Sequence, residues 1–134
     1  MKREQGKMIL LVDNDPSVIA ALEARLSGMG YRCRTSSCGS EALEHFRQQP
    51  PDLVISDLNM PLGDGAGLAA SIRQHSNVPI ILISGFKDAY RKTLRGIPDI
   101  SFLHKPFNTE DLLALVEASI VNGDESKKQF PNAA

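Results

Sequence analysis

The stretch DLVISDLNMP, at residues 52–61, runs an apolar segment directly into an aspartate and then into a turn. The composition around Val54 and Ile55 is typical of a parallel strand that is buried on both faces. An ionised carboxylate is costly to bury unless a cation or hydrogen-bond donors compensate it. Asp57 therefore either lies outside the core or is placed to meet a cation.

This apolar run is one of five that recur at regular intervals. The runs start at Met8, Tyr31, Asp52, Val78 and Ile100, which lie 21 to 26 residues apart. Each interval contains a stretch with the spacing of apolar residues that is typical of a helix. The repetition predicts an α/β fold of the doubly wound (βα)5, flavodoxin-like class, with a five-stranded parallel sheet and helices on both of its faces.

The composition of the runs also predicts the order of the strands. The first, third and fourth runs are apolar on both faces, as interior strands are, whereas the second carries Arg32 and Arg34 in alternation and is typical of an edge strand. These features suit the order 2-1-3-4-5. In that order a ligand crevice is expected at the carboxyl ends of strands one and three.

The helix boundaries can be predicted from capping residues. Asp15 is expected to cap the first helix, with Pro16 at its first position. Asn108 is expected to cap the last helix, which we predict to run to about Val121. The expected organisation is an N-terminal extension at residues 1–6, one domain at residues 7–121, and a flexible tail or linker stub at residues 122–134.

The overall charge excludes few classes of function. The chain of 134 residues has 15 basic and 16 acidic side chains, which gives no general reason to expect nucleic-acid binding. Cys33 and Cys38 fit neither a redox pair nor a zinc site, so reduced thiols in a cytoplasmic protein are expected. No apolar run has the length of a signal peptide or a membrane span.

Other polar residues have weaker signals. The three histidines, at positions 45, 75 and 104, share no metal-ligand spacing and are interpreted as structural or solvated. Asp64 and Gly65 are interpreted as loop and helix-start residues. Lys87, Arg91 and Arg95 recur every four residues, and three explanations stay open: a solvated face, a surface for an acidic partner, or direct nucleic-acid binding.

Chemically useful side chains follow four of the predicted strands. Asp13 and Asn14 follow the first strand, Asp57 ends the third, Ser84 ends the fourth, and Lys105 follows the fifth. Two carboxylates, an amide and a hydroxyl are suitable ligands or donors for Mg²⁺ and a phosphoryl group, while a lysine neutralises phosphoryl oxygens. The set therefore suits phosphoryl transfer, with Asp57 as the carboxylate nucleophile.

Four stretches of the chain together resemble a known family. LLVDNDP, PDLVISDLNMPLGDG, VPIILISG and FLHKPFNTEDLLALV are similar, in order and spacing, to the motifs of the receiver domain of two-component response regulators, in the CheY-like superfamily. The resemblance covers about residues 7 to 121. It implies a phosphoacceptor domain that is not an enzyme beyond its own phosphotransfer and autodephosphorylation.

The resemblance implies roles for individual residues. Asp57 would be the phosphoacceptor, and Asp13, Asp57 and the backbone carbonyl of Asn59 would ligate Mg²⁺, with Mn²⁺ as the alternative cation. Asn14 stands where the family usually has a second acidic residue. Its amide oxygen can still ligate, but one negative charge is missing, so weaker Mg²⁺ binding is expected.

The remaining motif positions concern switching. The resemblance implies that Ser84 is the hydroxyl switch residue, that Lys105 is the family lysine, and that the bond from Lys105 to Pro106 is cis. Phe102 stands where a tyrosine is commoner and has no hydroxyl to donate a hydrogen bond. Coupling from Asp57 to the distal surface is therefore expected to rely on packing.

The partners implied by the resemblance are a sensor histidine kinase or a histidine phosphotransfer protein, and an output domain or partner protein. The output surface would be formed by the fourth helix, the fifth strand and the fifth helix. No membrane and no direct nucleic-acid contact is expected, and a phosphorylation-linked homodimer stays open. Two alternative functions are a pseudo-receiver that binds partners without phosphorylation, and a haloacid-dehalogenase-like phosphatase, which would want an aspartate where Asn59 stands.

Overall fold

The computed structural model describes residues 6–60, 65–85 and 96–129. Five strands form one sheet: β1 (Met8–Val12), β2 (Arg32–Ser36), β3 (Leu53–Asp57), β4 (Ile80–Ser84) and β5 (Ile100–His104). The described residues also form four helices: α1 (Pro16–Gly28), α2 (Gly39–Gln48), α3 (Gly65–Arg73) and α4 (Thr109–Gln129). None of these four helices is long and apolar enough to span a membrane.

The sheet has the predicted topology. All strand pairs are parallel, and the order is β2-β1-β3-β4-β5. The helix predicted between β4 and β5, with its basic residues, lies outside the described residues, as do Pro61 and Asp64. The explanations for that basic face therefore stay predictions.

Side chains of the central strands alternate between two apolar clusters, one on each face of the sheet. Leu10 of β1 belongs to the cluster that contains Ile72 of α3, whereas its neighbour Leu11 belongs to the cluster that contains Leu26 of α1 and Val116 of α4. Successive residues of a strand point to opposite faces, so a strand covered on both sides must be apolar throughout. Strands β3 and β4 are buried at every position, which confirms helices on both faces.

The predicted caps are confirmed. Asp15 is in extended conformation before α1, and its carboxylate accepts a hydrogen bond from the amide of Ser17 at 2.9 Å. Pro16 is the first helical residue. At the start of α4, the side chain of Asn108 accepts from the amide of Asp111 at 2.7 Å. Each cap satisfies an amide that would otherwise lack a helical partner.

The predicted end of the last helix near Val121 is wrong, because α4 continues to Gln129. The sequence suggested an end because Gly123 has low helix propensity. In the structure, a Cβ on Gly123 would lie 3.1 Å from the ring of Pro79. The absence of a side chain lets α4 lie directly against this ring, so the glycine serves packing and does not end the helix.

Gly65 lets α3 begin immediately under the end of β3. Its amide donates to the carbonyl of Leu58 at 2.8 Å. A Cβ on Gly65 would lie 2.7 Å from Leu58 Cα and would also contact the backbone of Asp57. Atoms cannot approach so closely, so a larger residue would push α3 away from the end of β3.

We expect Gly65→Ala to lower the free energy of unfolding by about 1–3 kcal/mol, the usual cost of overpacking a tight site. Urea denaturation would measure it. The matched control is Gly28→Ala at the end of α1, where no atom lies within 4 Å of the added Cβ. Equal midpoints for the two variants would contradict the close approach at Gly65.

Candidate functional site

The predicted site residues lie together at the carboxyl edge of the sheet. Asp13 follows β1, Asp57 ends β3, Ser84 ends β4 and Lys105 follows β5. Val12 of β1 pairs with Ser56 of β3, so the next residues, Asp13 and Asp57, are neighbours. The site is thus a product of parallel pairing, which brings the same end of every strand to one edge.

Asp57 meets a cation, as its position in an apolar strand requires. Its side chain is only 10% exposed, and Lys105 Nζ lies 3.8 Å from its Oδ1 oxygen. The amide of Asn59 also donates to Oδ1, at 3.3 Å. The Lys105 side chain is 43% exposed, so water screens its charge and the pair only partly offsets the burial of the carboxylate.

Asp13 is the second nearly buried carboxylate. Its Oδ1 accepts a hydrogen bond from the amide of Asp15 at 2.9 Å, and its own amide donates to the carbonyl of Ser36 at 3.1 Å. Burial raises the pKa of Asp13 above its ordinary value, and the charge of Asp57 raises it further. The Asp15 amide and Lys105 oppose this rise but do not cancel it. Without a bound cation, the negative charge of Asp13 therefore costs free energy in the folded protein.

Ser84 and Lys105 are held together by the backbone. Ser84 is 1% exposed, and its carbonyl accepts a hydrogen bond from the Lys105 amide at 2.9 Å. The bond between Lys105 and Pro106 is cis, as the family resemblance implied. Phe102, three residues before the lysine, is half-buried and packs against the apolar cluster on the α2 and α3 face.

Asn14 is exposed next to Asp13. Both residues line a cavity of about 280 Å³ between α1 and the loop after β2, together with Ser36 and Glu41. The Asn14 side chain is therefore accessible from solvent next to Asp13, although neither Asp57 nor Lys105 lines this cavity. Its amide oxygen could serve as a ligand, but it brings no negative charge.

The donor set fits a hard divalent cation. The described residues contain no group of three or more His, Cys, Asp or Glu side chains that could hold a metal ion. Asp13 and Asp57 supply two carboxylates, and further oxygens could come from Asn14, from the Asn59 carbonyl and from water. Mg²⁺ prefers oxygen ligands and keeps several waters, so two protein carboxylates are sufficient for it.

Three contributions to the site were not predicted from the sequence. The Asp15 amide holds the Asp13 carboxylate, the Ser36 carbonyl holds the Asp13 backbone, and Gly65 allows close packing under Asp57. The pattern Asp-Asn-Asp is a signal for the first, because aspartates often accept a hydrogen bond from the amide two residues later. Ser36 ends the observed strand β2, one residue beyond the predicted apolar run, which places it at the same edge.

The cysteines and two of the histidines are consistent with the sequence interpretation. Cys33 and Cys38 are both free, and burial raises the pKa of Cys33 to about 11, which makes it inert. His45 forms a hydrogen bond of 2.7 Å between Nδ1 and the Ser36 hydroxyl, a structural role. His75 is exposed.

We expect Asp13→Asn to raise the free energy of unfolding in metal-free buffer. The folded-state pKa of Asp13 lies above its unfolded value, so the ionised side chain destabilises the fold at neutral and alkaline pH. The penalty disappears as the pH falls toward about 4, the ordinary range of an aspartate. Urea unfolding with EDTA, at neutral pH and at about pH 4, should therefore show that the substitution raises the free energy of unfolding, and that this gain is smaller in acid.

The control for this experiment is Asp15→Asn. Hydrogen bonds from Ser17 lower the pKa of Asp15, so its charge favours folding and neutralising it should bring no gain. A gain of equal size in both variants would show that general charge reduction is responsible. No gain for Asp13→Asn would contradict the cost that burial and the neighbouring charge of Asp57 place on the ionised Asp13.

The sequence of the chain is similar to a known family and to proteins of that family. The family described as response regulator receiver domain matches residues 9–117. Probable transcriptional regulator ycf27 of Guillardia theta is 40% identical over 116 residues, which are 86% of this chain and 46% of that protein. DNA-binding transcriptional regulator NtrC of Escherichia coli is 34% identical over 128 residues, 92% of this chain and 27% of that protein. The chain thus spans about half or less of these relatives.

A solved structure extends the similarity to three dimensions. It is the receiver domain of sensor histidine kinase PA1611 from Pseudomonas aeruginosa, described with a magnesium ion coordinated in the active site cleft. The TM-score is 0.79 at 28% sequence identity, over 86% of this chain and 98% of that one. The sequence family, the strand order and this similarity agree, and the chain belongs to the receiver domains of two-component response regulators.

Proposed function

We propose that this receiver domain accepts a phosphoryl group on Asp57 from a phosphohistidine of a sensor kinase or a phosphotransfer protein. The observation that supports it most is the nearly buried Asp57 carboxylate, with Lys105 Nζ 3.8 Å from its Oδ1 and Asp13 beside it. A strand-end aspartate in such a setting suits nucleophilic attack and not structure alone, because its burial is only partly compensated.

The transfer forms one bond and breaks another. An Asp57 oxygen attacks the phosphorus atom, and the bond from phosphorus to the donor imidazole nitrogen breaks. The imidazole leaves with the electron pair and takes a proton from solvent, and the product is an aspartyl phosphate. Because Lys105 and the Asn59 amide already engage Oδ1, Oδ2 is the oxygen that we expect to attack.

The chain's own residues would stabilise the transferred group. Lys105 offers a positive charge, and the Ser84 hydroxyl can donate to a phosphoryl oxygen. Asp13, Asp57, the Asn59 carbonyl and the Asn14 amide would hold Mg²⁺, which when bound neutralises charge on the phosphoryl oxygens. Loss of the phosphoryl group would need only water, so the domain would act on no substrate other than its own aspartate.

Phosphorylation would change the surface next to β5. A phosphoryl group on Asp57 adds charge beside Ser84 and Lys105, which would draw these two residues toward it. Phe102 lies in β5, three residues before Lys105, and can change its packing when Lys105 moves. It has no hydroxyl with which to form a hydrogen bond. The relatives are transcriptional regulators more than twice as long as the matched region. We infer that a transcriptional output domain or partner in the cytoplasm reads this surface.

Incubation of the protein with Mg²⁺ and acetyl phosphate should add about 80 Da, the mass of one phosphoryl group, in an intact-mass spectrum. Asp57→Asn should give no adduct. Asp111→Asn, an exposed aspartate of α4, should label like wild type. An adduct that survives Asp57→Asn, or no adduct on a folded wild-type protein, would remove the proposal and favour a module that binds partners without phosphorylation.

Asn14→Asp should bind Mg²⁺ more tightly, by about tenfold, because a carboxylate replaces a neutral ligand beside Asp13. Isothermal titration calorimetry measures this without any phosphodonor. Asn122→Asp adds the same charge at an exposed position of α4 and should leave the affinity unchanged. Equal affinities for wild type and Asn14→Asp would show that position 14 is not part of the metal site.

A further inference from the structure

Arg73 joins two separate segments of the chain at the end of the sheet opposite Asp57. It is the last residue of α3 and is half-buried. Its Nη1 donates to the carbonyls of Ser76 and Val78, at 2.9 and 2.8 Å, in the loop between α3 and β4. Its Nε and Nη2 donate to the carbonyls of Pro98 and Asp99, each at 3.2 Å, just before β5.

The guanidinium is suited to this role because its donors are fixed in a rigid fork. Burial lowers the pKa of Arg73, and the Asp99 carboxylate opposes that effect. A partly desolvated cation whose four hydrogen bonds all go to backbone carbonyls holds main chain in place. It contrasts with Arg47, which is 71% exposed and lies 4.0 Å from Glu44 on the surface.

The segment that Arg73 holds needs restraint. Gly96 and Asp99 both have positive φ, at 90° and 59°, and an aspartate adopts this conformation at a cost. Ile97 and Ile100 are only partly buried and pack against the apolar cluster that also contains Ile72 and Val78. Arg73 and this packing therefore fix the same short segment from two sides.

The strand that follows, β5, has a strand partner on one side only within the described part of the chain. The sheet of the described residues ends at β5, which pairs with β4. Lys105 comes directly after β5, and its Nζ must stay near Asp57. A slip of one residue moves a side chain by about 3.3 Å and turns it to the other face. That displacement is comparable to the 3.8 Å between Lys105 Nζ and Asp57 Oδ1.

We propose that Arg73 is a positioning residue for the phosphoacceptor site. By fixing the start of the edge strand β5, it sets the position of Phe102 within the strand and of Lys105 directly after it. The part of this proposal that concerns phosphorylation rests on the function proposed for Asp57. Its effect on β5 itself does not depend on that function.

The test compares Arg73→Gln, which removes the charge and most donors, with Arg73→Lys, which keeps the charge without the fork. Hydrogen exchange of the metal-free proteins is measured at the amides of Gly96, Ile97, Asp99 and β5. These amides should exchange at least about tenfold faster in Arg73→Gln, as expected when more than one net hydrogen bond is lost, and by a smaller factor in Arg73→Lys. Amides of β1 and β3 should be unchanged.

The second readout is the initial rate of Asp57 labelling by acetyl phosphate, at a temperature where every variant is fully folded. Misplacement of Lys105 should lower the rate by about tenfold in Arg73→Gln and less in Arg73→Lys. The matched control is Arg34→Gln on the other edge strand, β2. The Arg34 side chain donates to Gln48 at 2.7 Å, far from β5 in the sheet, and its substitution should leave both readouts unchanged.

Unchanged exchange at residues 96–104 would overturn the proposal. Faster exchange with an unchanged labelling rate would also overturn it, because Arg73 would then stabilise the fold without positioning the site. If Arg73→Gln does not fold, the same comparisons with Arg73→Lys decide. If wild type itself is not labelled, the function proposed for Asp57 fails, while hydrogen exchange still tests the restraint of β5.

Discussion

Two nearly buried carboxylates, Asp13 and Asp57, lie side by side at the ends of β1 and β3, and the cost of burying their charges next to each other is the constraint on which the site depends. Burial raises the pKa of Asp13 and the charge of Asp57 raises it further, while the Asp15 amide and Lys105 oppose this only in part. A fold that keeps such a pair retains a local electrostatic cost. A divalent cation and a phosphoryl group are the kinds of ligand that would convert this cost into binding energy.

The rest of the architecture keeps this arrangement in place. Apolar clusters on both faces of the sheet fix the strands, Gly65 allows α3 to begin beneath Asp57, and the Asp15 amide holds the Asp13 carboxylate. Lys105 reaches the pair from an edge strand, where backbone pairing comes from one neighbour. The two carboxylates thus lie at the ends of interior strands, whereas the lysine follows an edge strand of the sheet that the described residues form.

Much of this could be predicted from the sequence because the signals were local. Apolar runs at regular intervals gave the sheet, arginines in β2 gave its edge, and Asp15 and Asn108 gave the helix starts. The end of α4 was missed, since a glycine in a polar stretch resembles a helix end unless its contact with Pro79 is known. The Ser36 carbonyl and the Arg73 hydrogen bonds were missed for the same reason, because backbone acceptors far apart in sequence leave no pattern in side chains.

The most direct test of the account is the dependence of stability on Mg²⁺. A ligand that binds only the folded state raises the free energy of unfolding with the logarithm of its concentration once the site is saturated. The unfolding midpoint of the wild-type protein should therefore rise steadily with Mg²⁺, from its value in EDTA, and this rise should vanish in both Asp13→Asn and Asp57→Asn. A wild-type midpoint that does not respond, or variants that respond as wild type does, would contradict the claim that the carboxylate pair is built for a cation.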